Sequence, residues 1–174
     1  MHKQNQEGMA QVYLILGSNL GDRLSFFAKA KELLQASSGT ITKQSSLYET
    51  EPWGFVHENS FLNQVILFET TLEPIQLLGE IKTIESMLGR KNGPERYNAR
   101  CIDIDILFYD DLVLNSPELV IPHREMTKRR FVMEPLAEIS PKQVHPLYKQ
   151  DCENLLLLCE DICKVRRIEK QTNA

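Results

Sequence analysis

The segment Ile102-Asp103-Ile104-Asp105-Ile106-Leu107-Phe108-Tyr109 constrains the fold more than any other stretch of the chain. Its first five residues alternate isoleucine with aspartate, and a period of two keeps such unlike side chains on opposite sides of a strand. Ile102, Ile104 and Ile106 make one face apolar, and Asp103 with Asp105 makes the other acidic. An apolar strand face must be covered, which points to a sheet packed under helices.

The rest of the chain supplies those layers. Gln11 to Leu16 is a short apolar run ending at Gly17 and predicts a central strand. Asp22 is a helix cap for a segment running to about Ser37, with Leu24, Phe27, Ala28 and Leu34 expected on the buried stripe and Gly39 as its stop. A β-rich stretch follows over 40–50. After a Pro/Gly-containing loop, Phe61 to Thr71 reads as a long strand rich in Val, Ile and Phe. Pro74 suits the first turn of a second helix carrying Leu77, Leu78, Ile81, Ile84 and Leu88, with Gly89 at its end. Strand, helix, strand, strand, helix, strand is the ferredoxin-like order, an α+β fold: an antiparallel sheet with helices on one face. Short helical pieces over 125–139 and a helix over 152–163 are expected as C-terminal additions. The domain is expected over 11–165, with a polar, disordered extension at 1–10 and a tail at 166–174.

Composition narrows the class. The chain has 174 residues with 42% hydrophobic and 25% charged, which excludes collagen-like, coiled-coil and largely disordered readings. No stretch nears the roughly 18 apolar residues of a membrane helix, and the N-terminus is polar where a signal peptide would be apolar. A cytoplasmic protein is the expectation. Four cysteines, at 101, 152, 159 and 163, make no disulfide framework; Cys152, Cys159 and Cys163 are expected with Leu156 on one core-facing helix side. Net charge is −4, yet segments 90–100 and 123–130 each carry +3, leaving −10 elsewhere. Two basic islands in an acidic chain suit a compact anion such as a nucleotide's phosphates better than a long nucleic acid.

The acidic pair is where chemistry is expected. At about 3.3 Å rise per residue the two Cα atoms lie roughly 6.6 Å apart. At an effective dielectric near 20 and about 6 Å, the carboxylates repel by roughly 2.8 kcal/mol. A hard divalent cation relieves that, and Mg²⁺ takes one or two carboxylates plus phosphate oxygens. A solvated sheet edge is the bland alternative. Arg90, Arg96 and Arg100 lie just upstream. Guanidinium forks that bond two phosphate oxygens, beside a metal, are the parts phosphoryl transfer needs.

Asn63 shares strand parity with Phe61, Val65 and Leu67, so it points inward and must find partners. Backbone satisfaction would be the ordinary account; recognition of a heterocycle with both donors and acceptors is the functional one. Trp53 and Phe131 could stack on a planar ligand, or simply pack their loops. Lys82 and Glu85, three apart on the second helix, are by default a surface ion pair. His123 has no second His or Cys at zinc spacing. Gly17-Ser18-Asn19-Leu20-Gly21 lacks the Walker lysine and the dinucleotide spacing, but its glycines allow a tight turn near a ligand.

Taken together, these residues resemble the 6-hydroxymethyl-7,8-dihydropterin pyrophosphokinase family of folate biosynthesis. The resemblance rests on Gly17 to Gly21, Tyr48-Glu49-Thr50-Glu51-Pro52-Trp53-Gly54, Phe61-Leu62-Asn63, Leu88-Gly89-Arg90, Arg96 through Asp105, and Ile121-Pro122-His123 through Phe131. It implies a ferredoxin-like fold, ATP, two Mg²⁺ ions, and transfer of pyrophosphate to the pterin's hydroxymethyl oxygen with release of AMP. By position, it implies that Asp103 and Asp105 carry the metals and that Arg90 and Arg100 stabilise the transferring group. Lys82, Glu85, Tyr97, Ile106, His123 and Arg129 would line the ATP site. Thr50, Trp53, Phe61, Asn63 and Phe131 would line the pterin site. Lys82 stands where the family often has Gln, Tyr97 where it often has Trp, and Asn98-Ala99 where it often has Gly-Pro. The expected partners are these two small substrates, with no nucleic acid or membrane, and the expected state is a monomer. A nucleotidyltransferase is the nearest enzyme rival, and it would release inorganic pyrophosphate. An RNA-recognition module is the rival from another class; the acidic total argues against it.

Overall fold

The computed structural model of the chain describes residues 8–50, 60–89 and 101–168. In chain order the elements are β1 (Ala10–Ser18), α1 (Arg23–Ser37), β2 (Thr40–Gln44), β3 (Leu47–Thr50), β4 (Phe61–Thr70), α2 (Pro74–Met87), β5 (Asp103–Tyr109), the two-residue strands β6 (Leu114–Asn115) and β7 (Val120–Ile121), a 3₁₀ turn (Met126–Lys128), α3 (Arg130–Ile139), α4 (Cys152–Leu157) and β8 (Val165–Ile168). The main sheet runs β5-β1-β4-β3-β8, with β2 also paired to β4 and every pairing antiparallel. The ferredoxin-like order expected from the sequence is therefore present. Strands β2 and β3 follow one another along β4, broken where the Ser45 hydroxyl accepts from the Val65 N–H at 3.0 Å.

Strand alternation sorts side chains into two cores. Leu14, Leu16, Leu62, Ile66, Phe68, Ile104 and Ile106 pack against Phe27, Ala30 and Leu34 of α1 and Leu77, Ile81 and Ile84 of α2. On the other face Tyr13, Ile15, Val65, Leu67, Leu107 and Phe108 meet Val132, Met133 and Leu136 of α3 and Cys152 and Leu155 of α4. The acidic face of β5 is on this second side, since Ile15 pairs with both Asp105 and Val65.

Local chemistry sets the helix ends. The Asp22 carboxylate accepts from the Ser25 N–H at 3.0 Å, the expected cap of α1. The buried stripe of α1 is Phe27, Ala30 and Leu34; Leu24 is 60% exposed and Ala28 is also exposed, so the expected stripe is rotated. A stripe needs residues within one arc of a 3.6-residue turn, and Leu24 and Ala28 fall to one side of the Phe27–Leu34 line. Pro74 opens α2, and Gly89, at φ +93°, lets the chain turn left-handed after it.

The expected helix over 152–163 ends at Leu157, and the three cysteines share no helical face: Cys152 and Cys159 are buried, Cys163 only partly. Arg130 explains the early stop. Its Nε donates to the Asp161 carbonyl at 2.8 Å and its Nη2 to the Cys159 carbonyl at 3.0 Å, which holds that chain away from helical geometry. Strand β8 then pairs with β3 and takes in Arg166, Arg167 and Ile168, where sequence periodicity marks no element. Of the N-terminal extension, residues 1–7 lie outside the described residues, while Ala10 begins β1. Among the described residues no helix is long and apolar enough to cross a membrane.

Candidate active site

One row of the sheet collects the polar candidates. Gly17 of β1 pairs with Asp103 of β5 on one side and with Asn63 of β4 on the other, and Asn63 pairs with Tyr48 of β3. Cross-strand partners point to the same face, so Asp103 and Asn63 flank a residue that has no side chain. Asp105 and Val65 occupy the next row, on either side of Ile15. Thr50 pairs with Phe61 at the opposite end of that face.

Asn63 is 3% exposed, pointing inward as its parity predicts. Its Nδ2 donates to the buried Thr50 Oγ1 at 3.1 Å. That partnership is between side chains, so it leaves the amide's outward geometry to be set by Thr50. Gly17 completes the arrangement: a Cβ there would lie 3.3 Å from Asn63 Oδ1, tight enough to push the amide aside. Sequence reading gave this glycine to a turn; its place in β1 between Asn63 and Asp103 was the signal that it clears space instead.

The metal candidates are Asp103 and Asp105, both partly exposed on the acidic face. His123 stands beside them, its Nε2 4.0 Å from Asp105 Oδ2. Its backbone N–H donates to the Leu107 carbonyl at 3.0 Å, after a cis Ile121–Pro122 peptide. The ring accepts from the Glu125 N–H at Nδ1 (3.2 Å), which assigns the ring proton to Nε2, facing Asp105. Burial, and secondarily the Arg129 charge, pushes the His123 pKa down, so the ring is neutral near pH 7. Among the described residues no three His, Cys, Asp or Glu side chains converge as a metal cage. Two carboxylate donors without a cage fit Mg²⁺, which completes its octahedron with water and phosphate oxygens.

The second basic island divides by role. Arg129 lies over the Phe131 ring at 6.0 Å at the start of α3, and its charge is felt by His123. Arg130 is a structural residue, held by Asp161, Cys159 and Glu134.

Three nucleotide candidates lie elsewhere. Glu85 is 3% exposed, on the α1/α2 side, with Oε1 accepting from the Ile104 N–H at 2.8 Å. The expectation of a surface pair with Lys82 is thereby corrected for Glu85; α2 turns it inward onto β5 and leaves Lys82 exposed. A buried carboxylate is tolerable there because it takes a strand N–H. Ile106 is buried in the α1/α2 core, so its side chain does not share the acidic face. Arg90, Arg96, Tyr97, Arg100 and Trp53 lie outside the described residues.

Comparisons with known proteins bear on the family and the fold. A family model described as 7,8-dihydro-6-hydroxymethylpterin-pyrophosphokinase (HPPK) matches residues 13–141. The chain is similar to the 2-amino-4-hydroxy-6-hydroxymethyldihydropteridine pyrophosphokinase of Aquifex aeolicus, with 45% identity over 142 residues, 82% of this chain and 88% of that protein. It is similar to the pyrophosphokinase of the same name from Porphyromonas gingivalis, with 45% identity over 141 residues, 79% of this chain and 95% of that one. Among solved structures, a Plasmodium falciparum HPPK-DHPS superimposes with a TM-score of 0.73 at 18% identity, over 89% of this chain and 46% of that longer one, a likeness of fold.

Proposed function

Because the chain belongs to the 7,8-dihydro-6-hydroxymethylpterin-pyrophosphokinase family, we propose a division of labour across the polar part of its second sheet face. The enzyme moves the pyrophosphoryl group of ATP to the hydroxymethyl oxygen of 6-hydroxymethyl-7,8-dihydropterin and releases AMP, a step of folate biosynthesis. In the proposal Asp103 and Asp105 hold Mg²⁺, two ions per turnover. Bound metal supplies charge neutralisation on the phosphate oxygens and their alignment. Lys82, Glu85, Tyr97, Ile106, His123 and Arg129 serve the nucleotide, with Ile106 contributing backbone and Glu85 acting by fixing the β5 backbone. Arg90 and Arg100 face the charge that spreads over the transferring group.

Thr50 and Asn63 read the pterin's polar edge, while Phe61, Trp53 and Phe131 pack against its rings. The Asn63 amide offers a donor and an acceptor, matching a heterocycle with both. The hydroxyl oxygen bonds to the β-phosphorus as the bond from that phosphorus to the α,β-bridging oxygen breaks. AMP leaves with the bridging oxygen and the electron pair, and the hydroxyl proton passes to solvent water. Neutral His123, with Nε2–H towards Asp105, can donate to a phosphate oxygen without adding a full charge. The proposal also takes the enzyme to be a cytoplasmic monomer, which light scattering on the purified protein tests directly.

One observation supports this reading most: Asp103 and Asn63 are both partners of Gly17 in register, so metal-holding and heterocycle-reading groups stand in one row with a single strand between them. A ³¹P NMR time course with ATP, Mg²⁺ and the reduced pterin tests it. AMP and a new diphosphate ester should grow in equal amounts. Release of inorganic pyrophosphate would mean nucleotidyl transfer and would overturn the reading.

A further inference from the structure

Glu49 neighbours Thr50 on β3 but faces the other way, beside Leu62 on the α1/α2 side. Its carboxylate is a junction. Oε1 accepts from Arg23 Nη1 and Nη2, each at 3.2 Å, and from Ser60 Oγ at 2.7 Å. Oε2 accepts from Arg166 Nη2. Arg23 Nη1 donates in addition to the Ser60 carbonyl at 2.8 Å. One side chain thus joins the first residue of α1, the end of β3, the residue before β4, and β8. The junction is largely sheltered, with the Glu49 side chain 19% exposed. The guanidinium of Arg166 and the Ser60 hydroxyl hold its carboxyl down to about 2, so it stays ionised at any working pH.

The backbone ladder already pairs β3 with β4 from Tyr48 to Thr50. What the junction adds is a lateral tie between the last residues of β3 and Ser60, the residue before β4. Directly through the sheet from it lie Thr50, Phe61 and Asn63. Their mutual spacing, including the 3.1 Å Asn63–Thr50 bond, depends on where those two ends stand.

We propose that Glu49 is a positioning residue for pterin recognition: cross-linked to Arg23, Ser60 and Arg166, it holds Thr50, Phe61 and Asn63 at the spacing one ligand needs. The inference rests on the assignment of those three residues to the pterin. It predicts an asymmetric effect, because Asp103 and Asp105 are on β5 at the far side of β1 and β4.

The test measures pterin and nucleotide affinities separately by calorimetry, with a non-hydrolysable ATP analogue, in Glu49→Gln, Arg166→Ala and Asn63→Ala. Glu49→Gln should weaken pterin binding about tenfold and leave nucleotide binding within about twofold. Arg166→Ala should weaken pterin about twofold, since that side chain is 76% exposed and its ion pair is screened. Glu49→Asp, which keeps the charge and shortens the reach, should fall between wild type and Glu49→Gln. Unchanged pterin affinity in Glu49→Gln, or equal losses for both ligands, would overturn the proposal. If Glu49→Gln does not fold, Glu49→Asp decides by the same asymmetry: a pterin loss of about fourfold with nucleotide affinity unchanged supports the proposal, and unchanged pterin affinity or equal losses overturn it. Normal pterin binding by Asn63→Ala would instead overturn the pterin assignment itself.

Discussion

The two faces of the sheet use the same strands for opposite ends. Under α1 and α2 the face is sealed, with Leu14, Leu16, Ile66, Phe68 and Ile104 fully or almost fully buried. Under α3 and α4 apolar packing gives way to polar groups. The row of Ile15 and Val65 already carries Asp105, and the rows beyond it carry Asp103, Asn63 and Thr50, where the other face puts isoleucine and leucine; the two aspartates are partly exposed and Asn63 and Thr50 are buried. Ile104 sits between Asp103 and Asp105 and faces away from both. A strand with a period of two can give its stability to one side and its chemistry to the other without compromise.

Substitutions on the two faces should therefore fail in different ways. Asp105→Ala has the largest expected effect: a loss of roughly a thousandfold or more in kcat, as for other transition-state charge stabilisers. Its Tm should barely move, because the side chain is 45% exposed. A variant with near-normal turnover would break the comparison. Phe68→Ala, on the sealed face and fully buried, should cost about 3–5 kcal/mol of stability. The molecules still folded should turn over normally, as denaturant titration beside specific activity would show.

Asn63→Ala sharpens the contrast within the polar part of that second face. It leaves Thr50 without the Asn63 amide and removes both amide contacts to the heterocycle, so pterin affinity should fall by about 1–3 kcal/mol, roughly 5- to 150-fold, with nucleotide affinity retained. Calorimetry with each ligand checks it. The smallest effect concerns His145, in the sealed part of the second face. Its Nδ1 accepts from the Leu147 and Tyr148 N–H groups at 3.2 and 3.3 Å, and its ring packs on Phe108. Burial pushes its pKa below the ordinary 6.5. The unfolded chain then binds the extra proton first, so this contribution is complete above about pH 6.5 and is lost as pH falls to the folded value. Tm measured from pH 8 to pH 5 should decline less steeply in His145→Asn than in wild type.

Features with a period were legible in the sequence. Ile-Asp alternation identified β5 and both its faces, and Asn63's parity identified a buried amide, because both follow from geometry within one strand. Tertiary choices were less so. Glu85 sits on a helix where Glu–Lys spacing suggests a surface pair, and its burial is made acceptable by a tertiary contact, the Ile104 N–H that its carboxylate accepts. Arg130 counts towards a basic island by sequence but is consumed by Asp161 and Cys159, thirty residues on. Strand β8 is four residues with two arginines, Arg166 and Arg167, and its pairing depends on Glu49 and Glu138 from elsewhere in the chain. Glycine at 17 carried information only once its two neighbours across the sheet were known.

The central claim is that the acidic pair on β5 and the Asn63 amide on β4 serve one reaction from the two sides of β1. Two strand spacings separate Asp103 from Asn63, about 10 Å. Mn²⁺ in place of Mg²⁺ allows a direct test, through paramagnetic broadening of the proton lines of bound pterin beside a non-hydrolysable ATP analogue. Strong broadening in wild type, lost in Asp105→Asn while the pterin stays bound, is the predicted result. Sharp pterin lines in the wild-type complex with Mn²⁺ and nucleotide both bound would contradict it.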